Sequence, residues 1–167
     1  MFPSIKEKRR SYIVFGIYFV LLVWLVLFKF ATSLSELPSN RGINWIPFHY
    51  EQETSGHLKE VLFNILAFIP LGVYLEIFKE NWKTKAKCMV ALLTSFLFEA
   101  VQFVFSIGVS DITDILGNTF GAIAGIFFCV AMRKIAPGRF IPVINVLGIW
   151  IEIAAVGLLV LLLLANH

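Results

Sequence analysis

Seven polar side chains stand where apolar residues would be expected, and their spacing points to one chamber. Glu60/Asn64, Glu99/Gln102 and Asp114/Asn118 are each three or four residues apart, so each pair shares a helix face. Asp111, Asp114 and Asn118 form an i, i+3, i+7 stripe if their helix starts early enough. Carboxylates and amides on facing helices suit a polar or cationic headgroup. Asn64, Glu99, Gln102, Asp111, Asp114 and Asn118 are therefore the candidate ligand-binding residues. Paired carboxylates also perform acid/base chemistry, which makes Glu99, Asp111 and Asp114 the catalytic candidates. The oxygens of Asp111, Asp114 and Asn118 are the candidate ligands of a hard divalent cation, although nothing in the sequence requires a cofactor.

Each residue also has a plainer role. Asp111 or Thr113 caps a helix, with Asp114 satisfying free amides in the first turn. Asn64 and Gln102 join helices by hydrogen bonds. Glu99 is harder to dismiss, because an ionisable residue within a bilayer costs at least about 2.5–3.5 kcal/mol on insertion scales. Glu152 has no partner visible in the sequence, and a structural role suits it as well as a functional one. Other chemistry lacks its motifs. His49 and His57 show no H-E-x-x-H pattern, there is no glycine-rich phosphate loop, and no serine has an evident base.

The elements that must hold these residues are membrane helices. Of the 167 residues, 59% are hydrophobic and 15% charged, against roughly 45–50% and 25% in soluble domains. Mean hydropathy is +0.84. A soluble domain of this size buries only about 70% of the surface of its unfolded chain, so a soluble globular enzyme is excluded. Two cysteines, Cys88 and Cys129, exclude a disulfide scaffold. Spans are expected over 11–28 (the helix continuing to about 31), 58–78, 88–110, 115–132 and 141–165, each near the roughly 20 residues a bilayer needs. The expected fold is all-α, a single five-helix polytopic bundle over 1–167.

The net charge of +3 is distributed as topology rather than as a nucleic-acid surface. Lys6, Lys8, Arg9 and Arg10 precede the first span. Lys79, Lys83, Lys85 and Lys87 flank the second connection, and Arg133, Lys134 and Arg139 the fourth. With these 11 of the 14 basic residues inside, the N-terminus is cytoplasmic and the C-terminal His167 outside. Lys29, Arg41 and Lys59 are the exceptions. The candidate residues then share one level near the outer surface, with Asn118 roughly 6 Å below Asp114. The apolar run after Arg10 exceeds the usual about 7–15 residues of a signal peptide. An uncleaved helix is thus expected despite the Ala31-x-Ser33 resemblance to a cleavage site.

The loop Thr32–Gly56 is long for a connection between helices. Its Trp45, Pro47, Phe48, His49 and Tyr50 suit either an interface anchor or a lid over the chamber, with Asn44, Pro47 and Phe48 as lid residues. Gly117, Gly121 and Gly125 form a small-residue ridge that serves close packing within the chain or an oligomer seam.

Four stretches carry a resemblance: Asn44-Trp-Ile-Pro-Phe48, Asn64-Ile-Leu-Ala-Phe-Ile-Pro-Leu-Gly72, Glu99-Ala-Val-Gln102 and Asp111-Ile-Thr-Asp114-Ile-Leu-Gly-Asn118-Thr-Phe-Gly121. In this order they resemble the VanZ-like family of bacterial membrane proteins, named for a teicoplanin-resistance protein, over about 44–125. Many relatives carry a basic residue just before the acidic cluster; none lies between Gln102 and Asp111 here. The resemblance implies a multi-pass plasma-membrane protein that lowers susceptibility to teicoplanin-type lipoglycopeptides. Its implied partners are the bilayer and a lipid or lipid-linked envelope component, with no nucleic acid. A membrane-embedded hydrolase or transferase on such a substrate is the alternative. A transporter would need paired halves that the sequence does not show.

Overall fold

The computed structural model describes residues 4–28, 41–48 and 55–165. In chain order these form α1 (Ile5–Phe28), β1 (Arg41–Asn44), α2 (Ser55–Phe78), α3 (Thr84–Phe105), β2 (Gly108–Asp111), α4 (Ile112–Ile135) and α5 (Phe140–Ala165). All five helices are long and apolar enough to cross a membrane. Lys29, the Ala31–Ser33 tripeptide, His49, Tyr50 and His167 lie outside the described residues.

The helices exceed the expected spans wherever a polar terminus continues the helix beyond the hydrocarbon. α1 starts at Ile5 because Ser4 caps it, its hydroxyl accepting from Glu7 N–H at 3.2 Å. α3 departs in the other direction. Instead of running to Ser110 it ends at Phe105, where Ser106 adopts a left-handed φ of 57° and its N–H returns to Gln102 and Phe103 carbonyls. The freed segment becomes β2, which pairs in parallel with β1, Asn44 lying opposite Asp111. This small ladder is an addition to the expected helical bundle.

α2 and α4 are the closest pair. A methyl group on Gly121 or Gly125 would strike the carbonyl of Ile65 or Ile69, and one on Gly72 would strike that of Ala122. The glycine ridge therefore packs against α2 of the same chain, helped by Gly72 from the opposite side. Small residues at such a seam let backbones make the van der Waals contacts that drive helix association in lipid. Leu22, Phe68, Ala91, Phe98 and Ala122 knit α1–α4 into one core. Pro70 lies inside α2, and the Tyr18 hydroxyl of α1 donates to the nearby Ala67 carbonyl at 2.7 Å. Proline takes the intrahelical donor from the Leu66 carbonyl, four residues earlier; the Tyr18 bond reaches the next carbonyl and ties α1 to that turn.

At the end carrying most of the basic residues, buried Glu76 meets Lys87 Nζ at 2.5 Å. Arg133 pairs with Glu80 at 2.9 Å and donates to the Glu76 carbonyl at 3.2 Å. Lys87 and Arg133 thus also fasten α2, α3 and α4 together. α5 lies outside, against α1. Its buried Asn145 is tied to Ser11 and Glu7 of α1 and accepts from Tyr74 of α2.

Candidate functional site

The opposite end of the bundle gathers the sequence candidates into two adjoining groups. One is a latch around the start of α4. Asp111 is the N-cap, its Oδ1 accepting from Thr113 N–H at 2.7 Å. Its Oδ2 accepts from Asn44 Nδ2 at 3.1 Å, so capping and loop attachment use the two oxygens of one carboxylate. Glu99 Oε2 accepts from Asp111 N–H at 2.9 Å, and Ser110 Oγ donates to the Glu99 carbonyl at 2.8 Å. Phe48 N–H donates to Thr113 Oγ1 at 3.0 Å, with Phe48 in a left-handed conformation of φ 57°.

The second group lines a cavity of about 370 Å³ between α1, α2, α3 and α4. Asn64, Gln102, Asp114 and Asn118 line it, joined at the rim by Lys59 and Glu60. Leu25, Val26 and Phe63 complete the wall. Each amide is held by its nitrogen. Asn64 Nδ2 donates to Asp114 Oδ1 at 2.6 Å, Gln102 Nε2 to the Val26 carbonyl at 3.0 Å, and Asn118 Nδ2 to Ser95 Oγ at 3.0 Å. Gln102 is 1% exposed and Asn118 fully buried. Yet Gln102 Oε1 and Asn118 Oδ1 have no hydrogen-bond partner among the described residues. Both oxygens are shielded from the cavity space itself, and a buried acceptor left unsatisfied costs roughly 1–3 kcal/mol, so a small side-chain turn that meets a donor in the cavity is favoured.

Four of the six ligand-binding candidates therefore share the cavity wall, while Glu99 and Asp111 belong to the latch. Of the three catalytic candidates, only Asp114 is among the residues lining the cavity. Of the cation-ligand candidates, Asp111 engages Asn44 and Thr113, Asp114 engages Asn64, and Asn118 engages Ser95. Among the described residues, no group of three His, Cys, Asp or Glu side chains is placed to hold a metal ion. Asn44, Pro47 and Phe48 do not line the cavity. Asn44 and Phe48 are fastened beside it, at the α4 N-terminus. Sequence reasoning missed Ser95, Lys59 and the α1 wall. Ser95 was discoverable, since Ser95, Glu99 and Gln102 repeat at one-turn spacing; the α1 residues are ordinary aliphatics and carry no signal.

A family model for VanZ/LLP1 matches residues 15–133. The chain belongs to this family. It is also similar to "Protein VanZ" of Enterococcus faecium, with 34% identity over 113 residues covering 66% of this chain and 68% of that protein. No solved structure matches the chain. The VanZ/LLP1 match contains every cavity-lining residue, from Leu25 to Asn118, as well as the latch. It stops before α5, which contributes nothing to this cavity.

Proposed function

We propose that this VanZ-family chain is a bacterial plasma-membrane protein whose cavity binds the cationic or hydrogen-bond-donating headgroup of an outer-leaflet envelope component. Through that binding it lowers susceptibility to teicoplanin-type lipoglycopeptides. The observation that carries this reading is the acceptor-rich lining: the Asp114 and Glu60 carboxylates share one cavity with Gln102 and Asn118, whose buried amide oxygens lack a hydrogen-bond partner among the described residues. Neutral amide oxygens and carboxylates are both acceptors, so the wall selects for donors. The side is argued from charge. Lys87 and Arg133 mark one end of the bundle and the cavity lies at the other, so the positive-inside rule turns the cavity outward. Glu99 and Asp111 then act as positioning groups that fix the α4 entrance, and the Asn44–Phe48 segment straps that entrance.

The test is expression in a susceptible bacterium of the wild type and of Asp114→Asn combined with Glu60→Gln, at matched membrane levels. The wild type raises the teicoplanin concentration needed to stop growth, and the double variant loses most of that rise. Equal susceptibility with and without the wild type would overturn the reading, as would full protection by the double variant.

A further inference from the structure

The polar cavity has an apolar neighbour. A second cavity of about 300 Å³ adjoins it, and the two share Leu25 and Phe63. This one is an apolar groove between α1, α2 and α5, running from Leu25 to Val14 along α1 and from Phe63 to Tyr74 along α2. At 1.5 Å per residue both paths are about 16 Å long. That is about half of the roughly 30 Å hydrocarbon core, the depth one leaflet's chains occupy. Leu66 and Ile151, on its rim, are largely exposed and leave it open to the surrounding lipid.

We propose that the ligand is a two-part lipid, with its headgroup in the polar cavity and one hydrocarbon chain laid along this groove. The inference rests on the headgroup reading above and adds a second site: the seat of the ligand's hydrocarbon chain, which makes that chain part of recognition. Three observations favour this occupant. The groove adjoins the acceptor-lined cavity across Leu25 and Phe63, its length matches a single leaflet, and its wall is almost wholly aliphatic and aromatic. Glu152 is the exception, a carboxyl on the α5 side of the groove whose Oε1 is buried without a hydrogen-bond partner among the described residues. A hydrocarbon occupant has no use for that carboxyl, which gives the proposal a sharp test of its own.

The probe is phosphatidylethanolamine carrying a diazirine within one acyl chain, reconstituted with the purified protein in phosphatidylcholine nanodiscs. Its ammonium suits the acceptors, and its phosphate suits Lys59 at the rim. After illumination, labelled positions are mapped by peptide mass spectrometry. Wild-type labelling at half-buried groove residues such as Leu21 and Phe63 saturates at low probe fraction, whereas the outward α3 residues Leu93 and Phe96 label in proportion to probe. Ala155→Phe fills the groove without touching the polar cavity and removes room for about three to four methylenes, lowering groove labelling at least about tenfold. Ile151→Trp, at a lipid-facing rim position, gives the same loss without disturbing the core. Glu152→Leu keeps or raises groove labelling.

Groove labelling that never saturates, or that survives both blocking variants, overturns the proposal. So does its loss in Glu152→Leu, which would mean a polar occupant. Asp114→Asn with Glu60→Gln separates the two readings. Saturable groove labelling that ignores this double variant, but falls with Ala155→Phe, sinks the headgroup assignment and leaves the groove occupied. Chain-free glycerophosphoethanolamine competing as well as the intact lipid would sink the chain assignment alone.

Discussion

Glu99 shows how far residue type and spacing carry. A carboxylate within an apolar run had to have a partner, and it has one, but the partner is the Asp111 N–H across the α3–α4 connection. Helix periodicity gives the face of Glu99; the direction of chain after Phe105 depends on the left-handed turn at Ser106, which no spacing rule supplies. Glu99→Ala leaves that N–H without its acceptor and lowers stability by roughly 1–3 kcal/mol, read as an earlier thermal transition in detergent. Glu99→Gln keeps an acceptor oxygen and shifts the transition far less. At the other end, Lys87 was legible only as a topological charge. Lys87→Met leaves buried Glu76 with the longer Arg133 contact at 3.8 Å, at a cost of up to about 3–5 kcal/mol. Adding Glu76→Gln recovers much of the loss, and the double-variant cycle measures the coupling.

The helices themselves were legible because each must be apolar for about 20 residues, and that signal survives local irregularity. Their seams were legible only in part. The ridge Gly117, Gly121 and Gly125 announces a close approach without naming the partner. Gly72, the reciprocal contact on α2, is a lone glycine with no repeat to mark it. Gly121→Val drives a branched side chain into the Ile65 carbonyl, where no flexible side chain can yield. The expected cost is at least about 1–3 kcal/mol, measured as lost folded yield and rapid proteolysis between α2 and α4. The β1–β2 ladder was not legible at all. Four-residue strands show too little alternation to be distinguished from loop, and partners in parallel register need long connections, here α2 and α3. Asp111→Ala removes both the cap and the Asn44 anchor and costs about 1 kcal/mol or more, with faster protease cleavage in the 41–48 segment.

For the molecule as a whole, composition and the distribution of lysine and arginine supplied the five-span bundle and its proposed direction. The cavity followed because helices alternate in direction, which carries polar residues far apart in sequence to one depth. In a background with Cys88→Ser and Cys129→Ser, Trp45→Cys is expected to react with a membrane-impermeant maleimide in intact cells. Lys83→Cys should react only after permeabilisation. The reverse pattern would turn the cavity toward the cytoplasm. The outlying fifth helix is a separate matter. Asn145 is its principal polar tie to the rest, and Asn145→Leu should loosen α5 by about 1–2 kcal/mol, seen as faster hydrogen exchange in α1 and α5 alone.

The parallel ladder also imposes a schedule on synthesis. Arg41–Asn44 leaves the ribosome before α2 and α3, but its mate, Gly108–Asp111, follows only after both. Because chains emerge N-terminus first, the early strand must wait, unpaired, through the insertion of a whole helical hairpin. A nascent chain arrested before Gly108 would therefore hold every wall residue of α1 and α2 while its strap still hung loose, and closing that strap must await the end of α3.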